Sequence, residues 1–169
     1  MQSRFTAYAG DCRVSGTLDA ASAAAGDPLD ARALEEDTPL ALTDVVLERL
    51  DDGRRVTRNT IAVSPGDLFA VERSSPTLRG APRRRRSRVH VQVGPYAIMG
   101  EVDERATAPR PARMLAVARA TISWVRNGQI EMREVDGLLV NRAVVDWVVA
   151  DGGGHDEGYP AVQPSALPG

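Results

Sequence analysis

The sequence predicts a mainly β protein: two tandem copies of a β-β-β-β-short-helix unit, forming a small barrel or sandwich around one shared core. Three observations predict it. Apolar and polar residues alternate along several short segments, the period of a half-buried strand. Turn signals such as Asp52-Gly53 and Asn127-Gly128 separate those segments into pairs, as hairpins require. The opening pattern also returns: Arg4, Gly10, Gly16 and Asp19 match Arg88, Gly94, Gly100 and Asp103 at an offset of 84 residues.

The first predicted hairpin places Phe5, Ala7 and Ala9, then Cys12, Val14, Gly16 and Leu18, on one buried face. Its later counterpart places Val89, Val91 and Val93, then Tyr96, Ile98, Gly100 and Val102. A glycine at the inward positions 16 and 100 predicts a bend or the close approach of another backbone. The segment Asp19 to Leu40 is rich in Ala, Asp and Pro and is expected to cross the surface, with one helical turn at Ala31 to Glu36. Glu104 to Met114 is its shorter counterpart. A second hairpin is predicted from Leu42 to Val63 and again from Ala118 to Val140, since Val45, Leu47 and Arg49 match Ala120, Ile122 and Trp124 at an offset of 75. Its turns, Asp51-Asp52-Gly53 and Arg126-Asn127-Gly128, suit the positive φ of a type I′ turn.

Each unit then closes on a helical pattern. Ser64 is the expected N-cap, with Pro65 at the first helical position and Asp67 in the first turn. Asn141 is the matching cap before Arg142 to Val149, where Trp147 is expected to cover the core. Eight strands suffice for a closed small barrel, or for two four-stranded sheets face to face. About 65–70 residues make a marginal core alone, so one core shared by both units is expected. The predicted organisation is a first β repeat at 1–72, an Arg/Pro-rich linker at 73–87, a second β repeat at 88–150 and a disordered Gly/Pro-rich tail at 151–169.

Charge is unevenly spread. All 21 basic residues are arginine, and the net charge is -2. Residues 1–72 hold 13 acids against 7 arginines, whereas 73–88 hold 7 arginines and no acid. Arg79, Arg83, Arg84, Arg85, Arg86 and Arg88 therefore form the candidate polyanion-binding segment. Such a run would bind phosphates in a salt-dependent way. No aromatic residue is interleaved, so neither base stacking nor sequence readout is expected. The competing expectation is a solvated linker that complements the acidic first half.

Other chemistry is sparse. The single cysteine, Cys12, cannot form an intrachain disulfide and is expected in the core. His155 lies in the tail, and His90 is expected on an outward strand position beside Arg88 and Gln92. The acids Glu35-Glu36-Asp37 and Asp51-Asp52 are expected to be solvated loop charges. No metal-ligand spacing, phosphate-binding glycine loop or nucleophile motif is present in the sequence, so neither metal nor cofactor is expected. An enzyme would require outward polar groups such as Asp19, Asp103 and His90 to converge. No apolar run approaches the length of a membrane span, and the first dozen residues lack a signal-type apolar core, so a cytoplasmic location is expected.

The run Val93-Gly94-Pro95-Tyr96, Gly100, the run Val140-Asn141-Arg142 and the pair Asp146-Trp147 resemble a family of bacterial proteins of actinobacterial type. Leu42-Thr43-Asp44 resembles a segment of the same family, displaced here into the first half. The resemblance covers most of residues 88–148 and, through the repeat, much of 4–71. It implies a lineage and no activity, and Glu104 to Met114 is shorter and less basic than the family pattern. The expectation is a non-enzymatic interaction or regulatory module of unknown partner. The alternative is a nucleic-acid-associated protein contacting the phosphate backbone through Arg79 to Arg88.

Overall fold

The computed structural model describes residues 4–18, 34, 38–73, 86–103 and 113–151. They form ten strands. In the first half these are β1 (Arg4–Tyr8), β2 (Cys12–Leu18), β3 (Leu40–Arg49), β4 (Arg55–Val63) and β5 (Ala70–Glu72). In the second they are β6 (Arg86–Val93), β7 (Tyr96–Asp103), β8 (Met114–Arg126), β9 (Gln129–Asn141) and β10 (Val145–Asp151). All ten join one antiparallel sheet in the order β10-β6-β7-β8-β9-β5-β1-β2-β3-β4. The predicted hairpins are therefore present, and each half follows the same order, with its fifth strand beside its first. Among the described residues no helix is long and apolar enough to cross a membrane.

The closing helices are not helices. Pro65–Asp67 and Arg142–Val144 are single 3-10 turns, and the chain extends again after each into β5 and β10. The β-branched residues Val145, Val148 and Val149 favour a strand. The edge of β6 also supplies hydrogen-bond partners that a helix would forgo, pairing Val148 with Val91 and Val149 with His90. Asn141 caps its turn by accepting from the Ala143 N–H at 3.1 Å, whereas the Ser64 side chain does not cap its own. Ten strands thus replace the eight expected.

Of the two long hairpins, only the second has the predicted turn. Asn127 and Gly128 have φ of 50° and 75°, as type I′ demands. At Asp51-Asp52-Gly53 only Gly53 is left-handed, and the Arg49 N–H reaches the Arg54 carbonyl at 2.9 Å, closing a wider loop. Mid-strand kinks occur at Asp44 (φ 51°) in β3 and Arg119 (φ 48°) in β8, 75 residues apart. The predicted close approach lies opposite each. A Cβ on Gly16 would stand 3.0 Å from the Thr43 carbonyl oxygen. One on Gly100 would stand 2.4 Å from Val117 Cγ1 and 2.9 Å from the Ala118 carbonyl oxygen. The pairing register shifts at the same places, between Ser15 and Thr17 and between Met99 and Glu101.

The sheet is not closed: β10 and β4 are its outer strands. Among the described residues the core is divided into two clusters. Phe5, Ala7, Val14, Leu18, Leu42 and Val45 gather in a first-half cluster, which Met114 and Leu139 of the second half complete. Val89, Val91, Val93, Tyr96, Ile98, Ile122 and Trp124 gather in a second-half cluster with Tyr8, Leu50 and Ala70. Neighbouring residues of the middle strands divide between the two. Ala7 and Tyr8 part company, as do Val71 and Ala70, and Leu139 and its neighbours Leu138 and Val140. Successive side chains of a strand point to opposite faces. The clusters therefore lie on opposite faces of β1, β5 and β9. Trp124 is buried, but Trp147, expected over the core, is 50% exposed on β10.

Candidate functional site

Three surfaces carry chemistry. The first is a groove of about 730 Å³ where the two halves meet. Arg4 and Thr6 of β1, Glu72 at the end of β5, the adjoining Arg73, Arg119 of β8, and Arg133, Glu134 and Asp136 of β9 are among its lining residues. Beneath it the Tyr8 hydroxyl donates to Glu72 Oε1 at 2.7 Å, and Arg133 Nε lies 2.9 Å from the same oxygen. Burial, then the bond to Glu72, pushes the Tyr8 phenol well above its ordinary value, so it stays a neutral donor. Arg119 pairs instead with Glu101, whose carboxyl that arginine holds below the usual range.

The second is an arginine cluster around Glu48. Its carboxylate is 5% exposed and accepts from Arg126 Nη2 (2.6 Å), Arg55 Nε (2.8 Å) and Arg13 Nη2 (3.1 Å). Burial pushes the Glu48 carboxyl up, but the three guanidinium groups together outweigh it and hold the value below normal. Arg126 belongs to the second half and also donates to the Leu50 carbonyl, while the Asn127 N–H reaches the Asp51 carbonyl at 2.9 Å. The tips of the two long hairpins are thus bolted together.

The third is the outer face of the second half. Pairing sets Met99 beside Thr121, Ser123 beside Met132, and Val125 beside Ile130. Ile130 is 73% exposed and Met132 69%, with Val125 and Met99 also exposed. They make a band on one face, with Val125, Ile130 and Met132 adjacent on β8 and β9 and Met99 on β7 across Thr121 and Ser123. Counting back by the offsets that align the strand pairings, 84 residues for β7, 75 for β8 and 77 for β9, the first half carries Ser15, Leu50, Gly53 and Arg55 in place of Met99, Val125, Ile130 and Met132. Contiguous exposed apolar patches mark protein, membrane or ligand contacts.

The residues singled out from the sequence do not form one site. Arg79, Arg83, Arg84 and Arg85 lie outside the described residues, as do Asp19, Glu35 to Asp37 and His155. Arg86 and Arg88 open β6 on exposed positions. Arg86 is 3.4 Å from Glu101, and Arg88 pairs in register with Glu101 on one side and Asp151 on the other. His90 faces outward on β6 as expected, half-buried. Cys12 packs against the first-half cluster, where burial raises its thiol pKa. Among the described residues no group of three His, Cys, Asp or Glu could hold a metal ion.

The Glu48 cluster and the apolar band were not anticipated. The band had a signal: Gln129 to Val135 alternates, and its Ile130 and Met132 share one parity with polar residues between them. The Glu48 cluster had a partial one: the predicted hairpins bring Arg55 opposite Glu48, Arg13 is its partner on β2, and Arg126 alone comes from a distant strand. No protein-family model, no curated protein and no solved structure matches this chain.

Proposed function

We propose that the chain is a non-enzymatic interaction module, built by tandem duplication, that docks an apolar surface of a protein partner on the band Met99, Val125, Ile130 and Met132. The carrying observation is that this band is exposed in one half, while the aligned positions in the other are Ser15, Gly53 and Arg55 and the buried Leu50. A duplicated scaffold must keep its inward residues in both copies, but only an outward face with a task needs costly exposed methionine and isoleucine. Methionine also suits a surface that adapts to its partner. Duplication is supported by the equal strand order, by the left-handed residues Asp44 and Arg119, and by Gly53 and Gly128 (φ 72° and 75°) at the same offset.

The test is photo-crosslinking in cells from position 130 or 132, compared with positions 55 and 57. Adducts of higher mass from the first pair alone, lost in Ile130→Glu and Met132→Glu, are expected. Equal yields from both pairs, or none from either, would overturn the reading.

A second reading is favoured by the groove. Arg73 lines it beside Arg4, Arg119 and Arg133, and from Arg73 the chain runs straight into the segment with Arg79 and Arg83 to Arg86. That arrangement suits contact with a nucleic-acid backbone without sequence preference. Binding to DNA and RNA at two salt concentrations tests it, with Arg83, Arg84, Arg85 and Arg86 changed to serine. Binding that falls with salt and is lost in the variant supports this reading; none at low salt removes it.

A further inference from the structure

We propose that copies of this chain join head to tail through the outer strands, β10 of one copy pairing antiparallel with β4 of the next. The argument rests on the joint already present inside the chain. There β9, the fourth strand of the second half, pairs with β5, the fifth strand of the first: Ala70 with Val140, Val71 with Leu139, Glu72 with Leu138. The outer strands of the sheet are the other members of the same two kinds, a fourth strand (β4) and a fifth strand (β10). Each molecule thus carries one finished joint and the two halves of another.

The equivalence is residue by residue. Ser64 and Asn141 precede the two 3-10 turns, 77 residues apart. In each turn the N–H four residues past that position, Leu68 or Val145, bonds to the carbonyl one residue past it, Pro65 or Arg142. Ala70 and Val71 pair with Tyr8 and Ala7, while Trp147 and Val148 pair with Gln92 and Val91, at the repeat offset of 84. The internal joint therefore sets the register of the external one: Trp147 opposite Val63, Val148 opposite Ala62, and Val149 opposite Ile61 of the next copy.

Burial shows the joint half made. Ala70 and Val71 are 0% exposed beside β9, whereas their counterparts Trp147 and Val148 are 50% and 49% exposed. Leu139 completes the first-half cluster from the neighbouring half. Its counterpart Ala62 is exposed on β4, and among the described residues none supplies that closure to the second-half cluster beside Val148. A sheet edge with unpaired N–H and C=O groups and an uncovered valine is a template for another strand. Contacts of this head-to-tail kind close into a ring where the rotation permits and otherwise extend as a fibre.

The experiment uses the full chain. Light scattering of the wild type should give a mass that is a multiple of the chain. Ala62→Cys with Val148→Cys, in a Cys12→Ala background, should form an oxidised ladder of multiples, because directly opposed antiparallel residues lie within disulfide reach. Ala62→Arg and Val148→Arg should each reduce the assembly. Mixed together, they should give a capped pair through the one edge each retains, which also shows that both are folded. A wild type of single-chain mass with no ladder would overturn the proposal. So would dimers from Val148→Cys alone, which would mean like edges pairing with like. These edge residues are separate from Ile130 and Met132, so failure here leaves the docking face standing, and the reverse.

Discussion

Glu48 is the residue on which most charge converges, and its burial decides what removing it does. Three arginines share one carboxylate, so Glu48→Ala would leave them crowded and uncompensated, at a cost of about 3 kcal/mol. The folded carboxyl is held below its unfolded value of about 4.3. Its stabilisation is therefore complete above that value and is lost as pH falls through the lower, folded one. Denaturant midpoints of the wild type should decline with acid below about pH 4, and Glu48→Gln should start lower and decline less steeply; equal slopes would remove Glu48 from the account. Glycine at position 100 makes a second test. An added methyl there meets Val117 at 2.4 Å and a backbone carbonyl at 2.9 Å, but at Gly16 the nearest atom is 3.0 Å away. Gly100→Ala should cost about 2–3 kcal/mol, and more than Gly16→Ala, by equilibrium unfolding.

At the scale of elements, the joint between β9 and β5 depends on Asn141 as much as on strand pairing. Its Nδ2 donates to the Leu68 carbonyl at 3.1 Å and towards that of Gly66 at 3.4 Å, and its Oδ1 caps the following turn. The side chain is fully buried, so Asn141→Ala strands several backbone groups and should cost about 2–3 kcal/mol. Ser64→Ala at the matching position should cost well under half of that, since Ser64 does not cap its turn. Equal losses would mean that the joint is not what Asn141 serves. Most of the hairpins were legible in the sequence, because their alternation and turns are local. β5 was not: it is three residues long and is held by Tyr8 and Val140, far away in the chain. The kinks at Asp44 and Arg119 were equally hidden. Neither is glycine or asparagine, yet at each the strand changes which parity faces inward, as Leu42 and Val45, or Val117 and Ala120, show. Arg126 beside Glu48 was hidden too, because it crosses from the second half, whereas Arg55 follows from the hairpin pairing and the arginine run from Arg79 to Arg88 was visible because it is contiguous.

The whole molecule has two apolar clusters but is wired as one cooperative unit. Tyr8 of the first half packs in the second-half cluster against Tyr96 and Trp124, and the Tyr96 hydroxyl donates to the Ala9 carbonyl at 2.6 Å. Leu139 and Met114 make the reciprocal crossing. Neither half can open without exposing residues of the other, so partial unfolding would gain little chain entropy for a large loss of buried surface. Both tryptophans lie in the second half, and Trp124 alone is buried, so its fluorescence reports that cluster, while far-ultraviolet circular dichroism reports every strand. The two transitions should coincide in the wild type. Leu139→Ala, which empties a site in the first-half cluster, should cost about 3 kcal/mol. It should move the Trp124 transition by the same amount as the dichroism, although Leu139 belongs to the opposite cluster from the reporter. A dichroism curve that splits while the fluorescence midpoint stays in place would mean two independently stable halves. The bolts at Glu48–Arg126 and Tyr96–Ala9 would then be contacts without mechanical consequence.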